Sequence, residues 1–502
     1  MHPADSPTGC TTPQAQADWT LAVQLALKKE TLMPRPIWLS LLLVALCFAA
    51  ALGQEKRGPV AADLRDFGAV GDGQADDTAA LEKAVQSGRG VVRVPKGSFR
   101  ITRPIVIELD KTGYIAFEGH GVGQIVMAGA GPALKFVGTH TKGSADPNSF
   151  EPNVWQNQRM PVVDGVEFIG AHEEADAIEA DGTMQLTVTR TRISQCRHGI
   201  HLVNRNRNVL ISDCHIYHNR GIGIFYDNLS LHQSNIIGCH ISYCGGGGIV
   251  SRGGDVRNIH IGTCDLESNH APDGEPTANI LIDCRGSASG TAEVAITGCT
   301  IQHNSKSPQS ANIRIMGRGD RGGQGQAQWG HTTITGNVFS DVATNVHLNG
   351  TRGVTLTGNT FWMGYEHNLL VEDCQQIVLG ANALERNPAY AYGNSTTTKN
   401  ATVFRNSSDC TLSGLHIQGT HTTAAGLILE NCNRFNITGC SILDCDNAGI
   451  LATNLTNSRI SDCIVRDDRP EAKTPSIKVE GGSGNQIVDN LTNDSPARLL
   501  NQ

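Results

Sequence analysis

From about Gly165 onward, apolar and polar positions follow neither a helical period nor long alternation but one short phrase that keeps returning. It consists of a β-branched pair, a small residue, Cys or Asn, one variable residue and an aliphatic. Leu210-Ile211-Ser212-Asp213-Cys214-His215-Ile216 is one copy; Ile236-Ile237-Gly238-Cys239-His240-Ile241 and Ile437-Thr438-Gly439-Cys440-Ser441-Ile442 are others. Further along, the Cys slot holds Asn337, Asn359 and Asn382. The slot recurs at a short, near-constant step from Cys214 to Cys239 to Cys264 and again from Asn337 to Asn359 to Asn382, with longer steps around Cys299 between the two runs. The short step suits three strands of four or five residues joined by three turns. That period predicts an all-β chain wound as a single-stranded parallel β-helix, the longer steps being loop insertions.

Two columns of the pattern carry structural expectations. The residue before the slot is Asp213, Gly238, Thr263, Gly298, Gly336, Gly358, Ala381, Gly414, Gly439 or Asp462, which suits a corner needing positive φ. A second column reads Cys196, Asn219, Cys244, Asn269, Asn304 and Cys445. Stacked coils bring such residues to a spacing of ~4.8 Å, where Asn amides hydrogen-bond from coil to coil and satisfy buried turn groups. Of the 15 Cys, most fall in these columns and none forms a CxxC pair. They are therefore expected to be stacked thiols, with Cys214, Cys239 and Cys264 pointing inward, and not zinc ligands or a disulfide framework.

The N-terminal part differs. Met33-Pro34-Arg35-Pro36 precedes an apolar run over 37–52, and Ala51-Leu52-Gly53 offers a small-x-small cleavage site. Residues 33–53 read as a signal peptide, residues 1–32 as upstream sequence outside the functional product, and the mature chain as starting near Gln54. An uncleaved anchor is the rival reading, although the run is short for a span of ~20 residues. Residues 54–160 are expected to hold a cap and the first coils, and 161–502 the regular coils. Asp76-Asp77-Thr78 before Ala79-Ala80-Leu81 predicts an N-capped helix lying over the apolar end of the solenoid. Residues 139–160 look like a surface loop, and the Gly/Arg-rich stretch 317–329 like a mobile one.

A formal charge of −8 excludes a general attraction to nucleic acid or to an anionic membrane. After signal removal no segment would remain to cross a bilayer. Arg is nevertheless concentrated between 190 and 321, so any basic surface is local.

Asp66-Phe67-Gly68-Ala69-Val70-Gly71-Asp72-Gly73, followed by Asp76-Asp77-Thr78, Ala80-Leu81 and Ala84-Val85, resembles the opening motif of the rhamnogalacturonase/epimerase-like pectate-lyase domain. The motif covers 63–101; beyond it the resemblance to the pectate-lyase superfamily lies in the coil pattern. It implies a right-handed β-helix and action on a polysaccharide by hydrolysis, β-elimination or epimerisation, without choosing among them. The polygalacturonase signature of that superfamily is not matched. Glu174-Ala175-Asp176 only loosely replaces its first element, Arg197-His198 stands where paired Asp is expected, Gly119-His120-Gly121 lies before the regular coils, and no Arg-x-Lys follows.

Spacing within the first regular coils picks out the main candidate site. One and the same step, a single short coil, separates Asp176 from His198, His198 from Arg220 and Glu179 from His201, so these are expected to stack along one strand edge as catalytic residues. Arg205, Arg207, Tyr226, Asp227 and Arg252 follow on nearby turns as candidate substrate-binding residues. Carboxylates beside imidazoles and guanidinium groups offer an acid or base and a charge clamp for uronate or sulfate. For β-elimination, Arg220 would neutralise the uronate carboxylate and His198 or His201 remove the proton. For hydrolysis, Asp176 and Glu179 would form the acid/base pair. A solvated polar face with ordinary ion pairs is the competing reading.

Two weaker patches accompany it. The insertion His270-Ala271-Pro272-Asp273-Gly274-Glu275 lies near Asp283 and Arg285, and His215 and His240 lie next to Asp265. No metal ligand set is assigned; a Ca²⁺ requirement is compatible with a lyase, and the sequence leaves the oligomeric state open. The function expected is that of a secreted lyase or hydrolase acting on an anionic, uronate-containing or sulfated polysaccharide. The alternative is a glycan-binding or adhesive β-helix without turnover. Clustering of polar residues on a few coils favours the enzyme.

Overall fold

The computed structural model describes residues 61–493 apart from 142, 144, 145, 147, 304–306, 308, 321–325, 473 and 474. The signal segment, the upstream residues, Gln54 and Asn304 lie outside the described residues. Within them, 42 strands form one continuous sheet in which successive coils pair in parallel, and only a two-stranded hairpin stands apart. This is the expected right-handed parallel β-helix. Ile200–Ser212, for example, pairs with Ala175–Met184 one coil before it and with Ile222–Ile237 one coil after.

Inward positions fill a single core that runs through the whole solenoid, from Leu64 and Leu81 to Ile460 and Val465. All thirteen described cysteines are buried free thiols, as the repeat predicts. Asn337, Asn359 and Asn382 form the expected ladder, with side-chain amides linked at 3.0 and 2.9 Å. The second column begins as expected: Asn219 accepts the N–H of Cys196 at 2.9 Å, and Asn269 that of Cys244 at 3.1 Å. It then continues through Asn279, Asn312, Asn345 and Asn368, joined at 2.8, 2.8 and 2.9 Å, a run that loop insertions hide in the sequence. Every described member of the corner column has positive φ except Ala381, for which nothing in the structure supplies a reason.

At the N-terminal end, the helix Thr78–Gln86 buries Leu81, Ala84 and Val85 against the first strands, as expected of a cap. The two acids divide the work differently from a simple N-cap. Asp76 accepts the N–H of Thr78 at 3.1 Å, whereas the buried Asp77 carboxylate accepts the N–H groups of Val70 and Gly71 at 2.7 and 3.0 Å. The helix start is thereby tied to the preceding turn.

Both stretches read as loops contain regular structure among their described residues. Residues 139–160 contain the short helix Pro152–Asn157; Val154 is buried and Phe150 stacks on Trp155 with ring centroids 5.9 Å apart. Within 317–329, Arg318–Asp320 pairs antiparallel with Gln326–Gln328, and Trp329 lies under the guanidinium of Arg257.

Candidate functional site

Parallel stacking turns residue spacing into columns, so one sheet face places unlike side chains in line. On the face built from Gly131–Val137, Ala175–Met184, Ile200–Ser212, Ile222–Ile237, Gly247–Arg252, Ala278–Asp283, Ala311–Met316 and Val342–Asn349, one row reads Lys135, Glu179, His201, Phe225, Val250, Leu281, Arg314 and His347. The row two positions later reads Asp181, Val203, Asp227, Arg252, Asp283, Met316 and Asn349.

His201 is the centre of the first cluster. Its Nε2 lies 3.1 Å from Asp227 Oδ2 and its Nδ1 3.8 Å from Glu179 Oε2. Lys135 Nζ holds the other oxygen of Glu179 at 2.8 Å. The imidazole stacks on Phe225, centroids 5.2 Å apart and planes 4° from parallel, and the Arg252 guanidinium lies 5.9 Å from the same phenyl ring. His198 packs against both rings, at 5.2 Å from His201 and 5.3 Å from Phe225. Burial pushes His198 down to about 4, so it is neutral at pH 7. Its Nδ1 accepts the N–H of Ile222 at 3.1 Å, which leaves the ring proton on Nε2.

Glu179 and His201 thus stack as their spacing predicts, and Asp227 and Arg252 join them. Five other candidate residues lie elsewhere than their spacing suggests. Asp176 is fully buried, and both of its oxygens are held by Arg197, at 3.0 and 2.6 Å, with the His198 N–H adding a bond at 2.8 Å. A carboxylate so enclosed cannot reach a sugar, which removes the Asp176/Glu179 hydrolytic pair. Arg220 does not stack on His198, because the next coil is longer than the one before: Ile200 pairs with Ile178 on one side and with Ile224 on the other, and Arg220 donates its N–H to Cys196. Its guanidinium turns to the carbonyls of His172 and Glu173.

Tyr226 points into the core, where its hydroxyl meets Ser234 Oγ at 2.8 Å, since Phe225 takes the outward position and successive residues alternate. Arg205 and Arg207 lie beyond a register shift after Val203, which turns the chain onto another face; there Arg207 packs over Phe150. They do not converge with His201.

A second cluster adjoins the first through Arg252. A cavity of about 470 Å³ is lined by Arg252, Glu275, Asp283, Arg285, Arg314 and His347, among others. Arg285 clamps Asp283 at 2.9 and 2.7 Å. Of the loop acids, Glu275 reaches this cavity, while Asp273 is exposed outside it. Sequence spacing missed Arg314, His347 and Lys135: insertions stretch the steps from Leu281 to Arg314 and on to His347 well past the shortest coil. The third patch forms as expected, with the His215 and His240 rings 5.1 Å apart and His240 Nε2 3.4 Å from Asp265, but on a different sheet face and exposed.

Asp176, Glu179 and His201 are the only trio of His, Cys, Asp or Glu among the described residues close enough to share a metal ion. They fit one poorly, because Arg197 already occupies both oxygens of Asp176.

Three family models match the chain. One described as rhamnogalacturonase A/epimerase, pectate lyase-like matches residues 62–158, one described as a right-handed β-helix region matches 154–306, and one described as periplasmic copper-binding protein (NosD) matches 282–498. No curated protein matches in sequence.

Among solved structures, tailspike protein 3 of bacteriophage CBA120 is similar with a TM-score of 0.52 and 14% identity over 86% of this chain, which spans 62% of that protein. A mutant tailspike of E. coli bacteriophage HK620, in complex with a pentasaccharide, has a TM-score of 0.53 and 11% identity, covering 85% of this chain and 80% of that one. At such identities the likeness is one of fold.

Proposed function

We propose that this chain, a right-handed parallel β-helix of the pectate-lyase-like superfamily, is an exported carbohydrate-active enzyme that cleaves an anionic polysaccharide along the His201 face. The observation that carries the reading is the placement of His201 between Glu179 and Asp227 with Arg252 on the same face. Asp227 is the outermost acid of the group, its side chain 41% exposed. Arg252 is exposed and forms no ion pair among the described residues, so its guanidinium is available to a ligand.

This arrangement fits β-elimination on a uronate best. A guanidinium on the sugar carboxylate makes the neighbouring C–H more acidic; Asp227, paired with His201, accepts its proton, the C–H electron pair forms the C=C bond as the glycosidic C–O bond breaks, and the departing oxygen is protonated by solvent, with Glu179 and Lys135 fixing the imidazole behind them. Phe225 forms an apolar floor that holds both His201 and Arg252. The similarity to a tailspike crystallised with a pentasaccharide supports a glycan as ligand. The match to a periplasmic protein's model over 282–498 agrees with export.

A glycan screen tests the reading. New reducing ends with ultraviolet-absorbing unsaturated termini are expected. Reducing ends without the absorbance would replace elimination by hydrolysis, and retention of glycan without cleavage would make the protein a binder.

A further inference from the structure

The cavity beside Arg252 has an unbalanced charge. Arg252, Arg285 and Arg314 face two acids, Glu275 and Asp283, and Asp283 is already engaged by Arg285. Arg314 is the unusual member, at only 8% exposed. Its Nε donates to His347 Nδ1 at 3.3 Å, its Nη1 to the Thr277 carbonyl at 3.1 Å and its Nη2 to the Gln309 carbonyl. No carboxylate pairs with it among the described residues. His347 does not compensate: with Nδ1 accepting from Arg314, its Nε2–H faces Glu372 at 3.0 Å, and that carboxylate is held on its other oxygen by Arg405.

Burial, and then the nearby Arg285, push Arg314 down to about 10, so the group stays charged at neutral pH. A buried cation without a counter-charge is unfavourable, and a second guanidinium beside it adds repulsion that an arriving anion relieves. Arg314 has five N–H donors and uses three, and Arg285 keeps its Nη1 group free of Asp283.

We infer that this cavity is an oxyanion subsite that takes the sulfate ester or carboxylate of a sugar bound beyond the reacting one. The inference rests on the glycan reading above and deepens it. Arg314 stands four coils from His201, or ~19 Å at ~4.8 Å per coil, with Arg252 between them, so a single polysaccharide chain laid along the face reaches both.

Calorimetric titration of the full chain carrying His201→Ala, expected to slow turnover, tests it with three oligosaccharides: one sulfated on a neutral backbone, one uronate without sulfate, and one neutral. At least one anionic oligosaccharide is expected to bind, and Arg314→Met to weaken it ~10-fold or more, the scale of a lost charge-assisted hydrogen bond. The arm that loses affinity identifies the group recognised. Arg285→Gln, at an exposed position, is expected to weaken the same arm and serves if Arg314→Met does not fold. The subsite is refuted if no anionic oligosaccharide binds the parent, or if the folded variants bind as tightly as it does. Anionic binding lost with Arg314 but no cleavage of any glycan by the unmodified chain would keep the subsite and reject the enzyme; cleavage unaffected by either variant, with unchanged binding, would do the reverse.

Discussion

Arg197 meets the carboxylate of Asp176 edge to edge, Nε to Oδ1 at 3.0 Å and Nη2 to Oδ2 at 2.6 Å, across adjacent coils. Because Asp176 is fully buried, removing the cation strands a charge in the protein interior. Arg197→Ala is expected to destabilise the fold by about 3–5 kcal/mol in denaturant titration. Adding Asp176→Ala should restore part of that loss. An unchanged unfolding midpoint for Arg197→Ala would mean that the pair does not hold these coils together.

The proposed chemistry separates two groups that spacing alone made equivalent. His201→Ala and Arg252→Ala should each lower turnover ~100-fold or more, the scale of losing an acid/base or a charge-stabilising group. Arg220→Ala, whose guanidinium serves backbone carbonyls away from the cluster, should stay within about threefold of the parent, which is too small a change to mark a charge-stabilising role. Equal losses in Arg220→Ala and His201→Ala, with native circular dichroism in both, would move the site.

Thiol titration of denatured, unreduced protein should find all thirteen described cysteines reactive. The stack of Cys214, Cys239 and Cys264 is the critical part, because residues on adjacent coils fall within the ~4.4–6.8 Å Cα spacing of a disulfide. A largely oxidised chain would show bridges in place of the ladder.

Asn359 occupies a fully used position. Its Nδ2 donates to the Ile334 carbonyl and to Asn382, and its Oδ1 accepts both N–H groups of Asn337. Asn359→Leu should destabilise the protein by about 2–4 kcal/mol in denaturant titration, since the buried donors of Asn337 are left without an acceptor. A loss under about 0.5 kcal/mol, the scale of an ordinary surface change, would argue that the ladder is ornamental.

How far the sequence could be read follows from what interrupts its period. Between Glu179 and His201 and again between Asn337 and Asn382 the coils are short, so the Asn337, Asn359 and Asn382 ladder and the pairing of Glu179 with His201 were legible from spacing. A slightly longer turn was enough to misplace Arg220, because stacking follows strand register and not a fixed count. Tyr226 was legible in principle: Ile224, Phe225 and Tyr226 alternate, and an inward Ile224 requires an inward Tyr226. Arg314 and His347 were not, since loop insertions carry the steps that join them to Leu281 and to each other well past the shortest coil, and nothing local marks a charged residue as buried.

The amide columns have a consequence for how damage spreads. Each Asn binds its neighbour one coil away, so cohesion inside the molecule is a chain of nearest-neighbour links, like rungs hung each from the one above. In such a one-dimensional assembly a fault weakens the coils on either side and fades with distance. The outer face can therefore accept an inserted loop, as between Glu267 and Ala278, or a new charged residue, while the axis behind it keeps its alignment.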